Sequence, residues 1–169
     1  MNKKIVLLSG GLDSTVLIHK LKNDGNDIRA LYINFGYLSS LGELHSVKYT
    51  TNTLGIPLEI VNLEGLADMI AGFYPPDIIR SIELDTKEPE EPGGDDDPSY
   101  VSGFYVLTSI ASFYAQLTGY SYLDIGVLKE QSENRRNIID FIQQWSKSVS
   151  SYRGTVRKMR IYNVKQIST

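Results

Sequence analysis

The chain has 169 residues, 41% of them hydrophobic and 22% charged, which suits one soluble domain and excludes a disordered or membrane-spanning composition. With Lys+Arg 17 against Asp+Glu 20 it is mildly acidic and offers no general attraction to nucleic acid or an anionic membrane. The absence of cysteine removes disulfides, thiolate metal sites and Cys nucleophiles together, and two distant histidines cannot cage a metal by themselves.

The run Ile5 to Leu8 is unbroken and apolar, as in a strand buried on both faces of a parallel sheet. It is also too short for a signal-peptide core, so cytoplasmic residence is expected. From Asp13 the spacing turns helical, with Val16, Leu17 and Leu21 apolar and Asp24 and Gly25 ending the helix. A second strand is predicted over Ile28 to Phe35, a helix from about Leu41 to Leu54 closing at Gly55, and a third strand over Leu58 to Val61. This β-α-β-α-β order predicts an α/β fold with a doubly wound, mostly parallel sheet and helices on both faces. Such sheets bind ligands at the carboxyl ends of their strands. The stretch Lys87 to Pro98, KEPEEPGGDDDP, is rich in proline, glycine and acids and reads as a mobile surface loop at about 85–99. Regular patterning resumes beyond it, so residues 1–169 are read as one domain. Further on, Val101 to Leu117 reads as helix, Tyr122 to Val127 as strand, Asn137 to Ser148 as helix and Arg160 to Val164 as a last strand.

The segment SGGLDST, Ser9 to Thr15, falls where the first strand turns into the first helix. Gly10 and Gly11 lack a Cβ, so the backbone can take positive φ and an anion can come close to the amides. The helix start behind them offers N–H groups and the positive end of a dipole. Ser9, Ser14 and Thr15 add hydroxyl donors, and Leu12 completes the turn. Asp13 would repel a bare phosphate. It is read either as a helix cap or, preferably, as a ligand to Mg²⁺ that reverses the local sign. There is no GxxxxGK[ST] string and no lysine behind the glycines, so this is not an ordinary P-loop.

The string SGGLDS between a buried strand and a helix resembles the signature of the PP-loop (N-type) ATP pyrophosphatases, the adenine nucleotide alpha hydrolase-like fold. That resemblance implies ATP as cofactor, cleaved between its α and β phosphates, with the loop holding the leaving pyrophosphate. Similarity to the 7-cyano-7-deazaguanine synthase family of queuosine biosynthesis extends over YINFGYLSSLGELHS (Tyr32 to Ser46), YVSGFYVLTSIASFYA (Tyr100 to Ala115) and YLDIGV (Tyr122 to Val127). It implies a carbon–nitrogen ligase that adenylates a 7-deazaguanine-type carboxylate or amide, with ammonia as a further reactant. Within the second family motif, Gly36 would line the adenosine side. Glu43 would handle substrate or ammonia, the alternative being a first-turn acid that complements a helix dipole.

Departures from the family are equally specific. Where it reads V-P-G-R-N, this chain has Val101, Ser102, Gly103, Phe104 and Tyr105, without the arginine and asparagine. Arg135, in Ser132 to Arg136, is the candidate stand-in for another family arginine, against a solvated helix-start charge. The family's four-cysteine zinc tail has no counterpart, and no zinc is expected. Three functional readings stay open: an adenylating enzyme; a catalytically degenerate nucleotide-binding or scaffold subunit of a larger assembly; and a tRNA-modifying enzyme. A homo-oligomer or a partner protein would complete the site. The basic stretch Arg153 to Arg160 is read as a solvated turn or strand edge, which speaks against a nucleic-acid partner. The acidic run Asp95 to Asp97 is read as solvated, the eleven tyrosines as core residues with polar tips, and His19 and His45 are given no role.

Overall fold

A computed structural model describes residues 2–36, 39–63, 65, 98–127, 136–153 and 158–163. In chain order the elements are β1 (Lys3–Leu7), α1 (Leu12–Asn23), β2 (Asp27–Asn34), α2 (Ser40–Leu54), β3 (Leu58–Asn62), α3 (Pro98–Thr118), β4 (Tyr122–Val127), α4 (Arg136–Arg153) and β5 (Lys158–Asn163). Each predicted element is present, with ends moved by a few residues; α4 runs furthest beyond its predicted limits. The acidic stretch at about 85–99 lies outside the described residues except for Pro98 and Ser99, which open α3. Arg135 also lies outside them. Of the basic stretch, Arg153 ends α4 and Lys158 to Arg160 begin β5.

The sheet runs β3-β2-β1-β4-β5, and all four strand pairings are parallel. Central β1 is flanked on one side by β2 and β3 and on the other by β4 and β5, so the winding reverses between β1 and β4. A crevice opens at the carboxyl ends of two strands that diverge in this way. In register, Leu7 at the end of β1 lies between Leu31 of β2 and Ile125 of β4.

The apolar run of β1 is continuous because both of its faces are covered. Val6 and Leu8 pack with Leu17, Ile18 and Leu21 of α1 and Val47 of α2. Ile5 and Leu7 face the opposite cluster, with Ala111 and Ala115 of α3 and Ile142 of α4. Helices therefore cover both faces, as predicted. Beside that second cluster Tyr105, Phe141 and Trp145 form an aromatic group, with the Tyr105 and Trp145 rings edge-to-face at 5.3 Å. Trp145 Nε1 donates to Ser112 Oγ at 3.2 Å. Two tyrosines fit the reading of a core ring with a polar tip: Tyr32 and Tyr120 are buried, and Tyr120 Oη donates to Asp27 Oδ1 at 2.9 Å. Tyr49 and Tyr105 depart from it, being largely exposed on helices.

Burial pushes the Tyr32 phenol up to about 12, the nearby Glu43 carboxylate adding to the rise against the opposing effect of the Ser40 contact. Tyr120 is also raised, again mainly by burial. Both groups stay protonated in the folded chain at pH values where the unfolded chain ionises. The Tyr32 contribution is therefore complete below about pH 10 and is lost as pH climbs toward 12. Denaturant unfolding at pH 9 and pH 11.5 should show stability falling by about 2 kcal/mol over this range. Tyr32→Phe should flatten much of that decline; an equally steep fall in the variant would assign it to other groups.

Candidate functional site

The segment between β1 and α1 lies at the β1/β4 crevice and lines a cavity of about 360 Å³. Ser9, Gly11, Leu12, Asp13 and Ser14 form one wall, and Glu43 reaches it from α2. Tyr32 and Phe35 line it from β2 and just beyond, while Leu107 of α3 and Ile125 and Gly126 of β4 close the far side. The size is in the range of small-molecule pockets, and the mix of apolar wall and few polar groups is typical of them.

The loop is held by its own hydroxyls. Ser9 N–H donates to Ser14 Oγ at 3.2 Å, the two serine hydroxyls are 3.2 Å apart, and Ser14 Oγ donates to the Gly11 carbonyl at 3.2 Å. Thr15 Oγ1 also donates to Gly11 O, at 2.8 Å, and Thr15 is not among the lining residues. Gly10 has φ +82, whereas Gly11 is extended at φ −75, ψ 168, so only the first glycine uses the positive-φ freedom expected of both. Gly11 is the N-cap of α1, and it makes no side-chain cap bond. Asp13 stands in the first helical turn, so its reading as a helix cap is overturned. A carboxylate at that place still complements the helix dipole.

Two backbone contacts seat the loop against the rest of the fold. A Cβ built on Gly10 would lie 2.7 Å from the Glu43 carbonyl oxygen, and one on Gly126 would lie 2.9 Å from the Asp13 carbonyl oxygen. Ser46 Oγ donates to the Gly10 carbonyl at 2.8 Å, tying α2 to the loop a second time. The glycines thus let α2 and β4 press on the loop from either side.

Glu43 is fixed through both oxygens. Ser39 Oγ donates to Oε1 at 2.9 Å and the buried Tyr32 Oη donates to Oε2 at 3.1 Å, with the Ser40 carbonyl 3.3 Å from the same hydroxyl. Gly36, at φ +86, donates its N–H to Asn34 Oδ1 at 2.9 Å; it lies outside the lining, where its neighbour Phe35 takes part. His19 and His45 are exposed and line nothing here. The residues that pattern reading did not single out are Tyr32, Ser39, Ser46, Leu107 and Gly126. Of these, Gly126 carried a usable signal, as a small residue near the carboxyl end of a buried strand.

No lysine or arginine is among the described residues that line the cavity, which instead has two carboxylates, Asp13 and Glu43. Among the described residues, no group of three His, Cys, Asp or Glu side chains could hold a metal by itself. One loop carboxylate does fit Mg²⁺ bound mainly through a ligand's phosphates, which is how that ion is commonly held. Among the described residues no helix is long and apolar enough to cross a membrane.

A parallel sheet with a lysine-free SGGLDS loop at its switch point is the arrangement of a PP-loop protein. A family model described as "Queuosine biosynthesis protein QueC" matches residues 3–163, and the chain belongs to that family. It is 30% identical to the 7-cyano-7-deazaguanine synthase of Methanocaldococcus jannaschii over 94% of this chain and 69% of that protein. The synthase of Carboxydothermus hydrogenoformans is 27% identical over 97% of this chain and 82% of its own length. That of Leptospira interrogans is 44% identical over a shorter stretch, 37% of this chain and 26% of the relative. The chain spans less than two thirds of the length of several such relatives. Among solved structures, a Methanocaldococcus jannaschii protein described as a predicted subunit of tRNA methyltransferase is similar at TM-score 0.53. It is 21% identical, with 96% of this chain and 67% of that one covered, and the likeness is one of fold.

Proposed function

We propose that this chain is a cytoplasmic, ATP-dependent adenylating enzyme acting on a 7-deazaguanine-type carboxylate, as family membership suggests. The observation that carries the reading is the loop: a hydroxyl- and amide-rich turn without a P-loop lysine, seated on a helix start at the switch point. In this reading a carboxylate oxygen of the substrate attacks the α-phosphorus of ATP. The bond from that phosphorus to the bridging oxygen breaks, and pyrophosphate leaves into the cradle of Ser9, Gly10, Gly11, Leu12 and Ser14. Ammonia can then displace AMP from the acyl carbon. The cavity's described lining carries negative and no positive side chains, so Mg²⁺ beside Asp13 supplies counter-charge when bound. Arg135, or a residue of another subunit, is the candidate for a cation facing the transferring group.

The test is α-labelled ATP with Mg²⁺, 7-carboxy-7-deazaguanine and ammonium, scored for AMP and pyrophosphate. AMP formation that depends on the base is expected, and Asp13→Ala should lower it about 10- to 100-fold. A second reading, a nucleotide-binding subunit without turnover, is favoured by one observation. Tyr105 stands in the stretch where the family reads arginine and asparagine, and it packs against Trp145 and Phe141. ATP binding without any AMP would select that reading.

A further inference from the structure

We propose that Glu43 is the acceptor for the ribose of the nucleotide, its carboxylate taking hydrogen bonds from the 2′- and 3′-hydroxyls, with Tyr32 as the residue that positions it. This rests on reading the loop as the ATP site. It gives Glu43 a different task from the substrate or ammonia handling that the family resemblance suggests.

Position comes first. Glu43 and the loop line the same cavity, and the backbone of Glu43 is so close to Gly10 that a Cβ there would meet it at 2.7 Å. Ser46, one turn further along α2, holds the Gly10 carbonyl at 2.8 Å. The carboxylate is therefore tied to the phosphate cradle by backbone contact, within reach of the neighbouring part of a nucleotide and not of a group at its far end.

Chemistry narrows the choice. An ionised carboxylate is an acceptor only, and beside a polyphosphate it repels every further anionic oxygen. The portion of a nucleotide adjoining its phosphates that carries donors and no charge is the sugar, and a vicinal diol presents two O–H groups side by side. Dinucleotide-binding sheets use an acid after the second strand for the same purpose. Glu43 is already aimed: Ser39 Oγ holds Oε1 and Tyr32 Oη holds Oε2, which leaves further lone-pair capacity on each oxygen. A first-turn acid serving only the helix dipole needs neither a fixed rotamer nor a buried phenol beneath it. Tyr32 is 2% exposed, and its hydroxyl is committed to this corner of the cavity.

The experiment measures, by calorimetry on the full chain with Mg²⁺, the affinities of ATP, 2′-deoxy-ATP and 3′-deoxy-ATP. The wild type should bind ATP about tenfold more tightly than either deoxynucleotide, the effect of losing one bond to a charged acceptor. Glu43→Ala should bring the three nucleotides to within about threefold of one another. Tyr32→Phe, which keeps the ring and the carboxylate, should narrow the gap partway. Should Glu43→Ala fail to fold, Glu43→Gln and Tyr32→Phe carry the comparison. Equal binding of ATP and its deoxy forms by the wild type would overturn the proposal while leaving the nucleotide site standing. So would discrimination that survives in the Glu43 variants. No ATP binding at all would remove the nucleotide reading and this inference together.

Discussion

Gly10→Ala is expected to lower both ATP affinity and AMP formation more than about 100-fold, while Gly11→Ala leaves the fold nearly as stable as the wild type. The two glycines are neighbours in sequence and differ in what surrounds them. At Gly10 the backbone is at φ +82, a region in which a side chain is strained. The added methyl would also sit 2.7 Å from the Glu43 carbonyl oxygen and 3.1 Å from Glu43 Cα. Both obstacles are backbone atoms of a helix, so a rotamer change cannot relieve them. The loop and α2 would have to separate by roughly 0.7 Å to reach an ordinary contact, which also stretches the Ser46–Gly10 bond. Displacements of that order at a binding loop are enough to lose about two orders of magnitude in rate. At Gly11 the backbone is in an extended conformation open to any residue, and the nearest atom to a new Cβ is Ser9 Oγ at 3.5 Å, in normal contact. Calorimetry with ATP and thermal unfolding of both variants would decide the matter. Equal losses of thermal stability at the two positions would mean that the approach of α2 is not what shapes the loop.

Asp124→Ala is expected to destabilise the fold by about 3–5 kcal/mol, the range for breaking a buried ion pair. Lys4 on β1 and Asp124 on β4 are adjacent strands' charges within the sheet, 3.1 Å apart and with side chains 4% and 0% exposed. Removing the carboxylate leaves the ammonium to face a low-dielectric surrounding without its 3.1 Å counter-charge. A Lys4→Met, Asp124→Leu double variant should recover most of that loss, because apolar replacements of both partners are often neutral or stabilising. Urea unfolding of the single and double variants measures this. If the single variant costs under about 1 kcal/mol, the pair is better hydrated than its burial indicates.

Much of the architecture could be read in advance because it rests on short-range pattern. The apolar run of β1, the glycine turn and the helical spacing of Val16, Leu17 and Leu21 name strand, loop and helix without knowledge of any distant residue. The alternation of such units implies a parallel sheet, and the sheet implies a site at its carboxyl edge. The Lys4–Asp124 pair could not be read this way: a lysine beside the first strand looks like a solvated end until β4 is laid alongside it.

Propensity, periodicity and glycine placement are local properties, and they are enough to define a doubly wound α/β chain with a glycine turn at Ser9 to Thr15 between its first strand and first helix. How that turn comes to wall a cavity depends on contacts far apart in the chain. Glu43 is held by Tyr32, eleven residues back, and by Ser39; Gly10 meets Glu43, and Gly126 meets Asp13 across more than a hundred positions of chain. The order β3-β2-β1-β4-β5 is what brings these segments together. A contact between residues so far apart depends on strand order and crossover direction, which no local window contains.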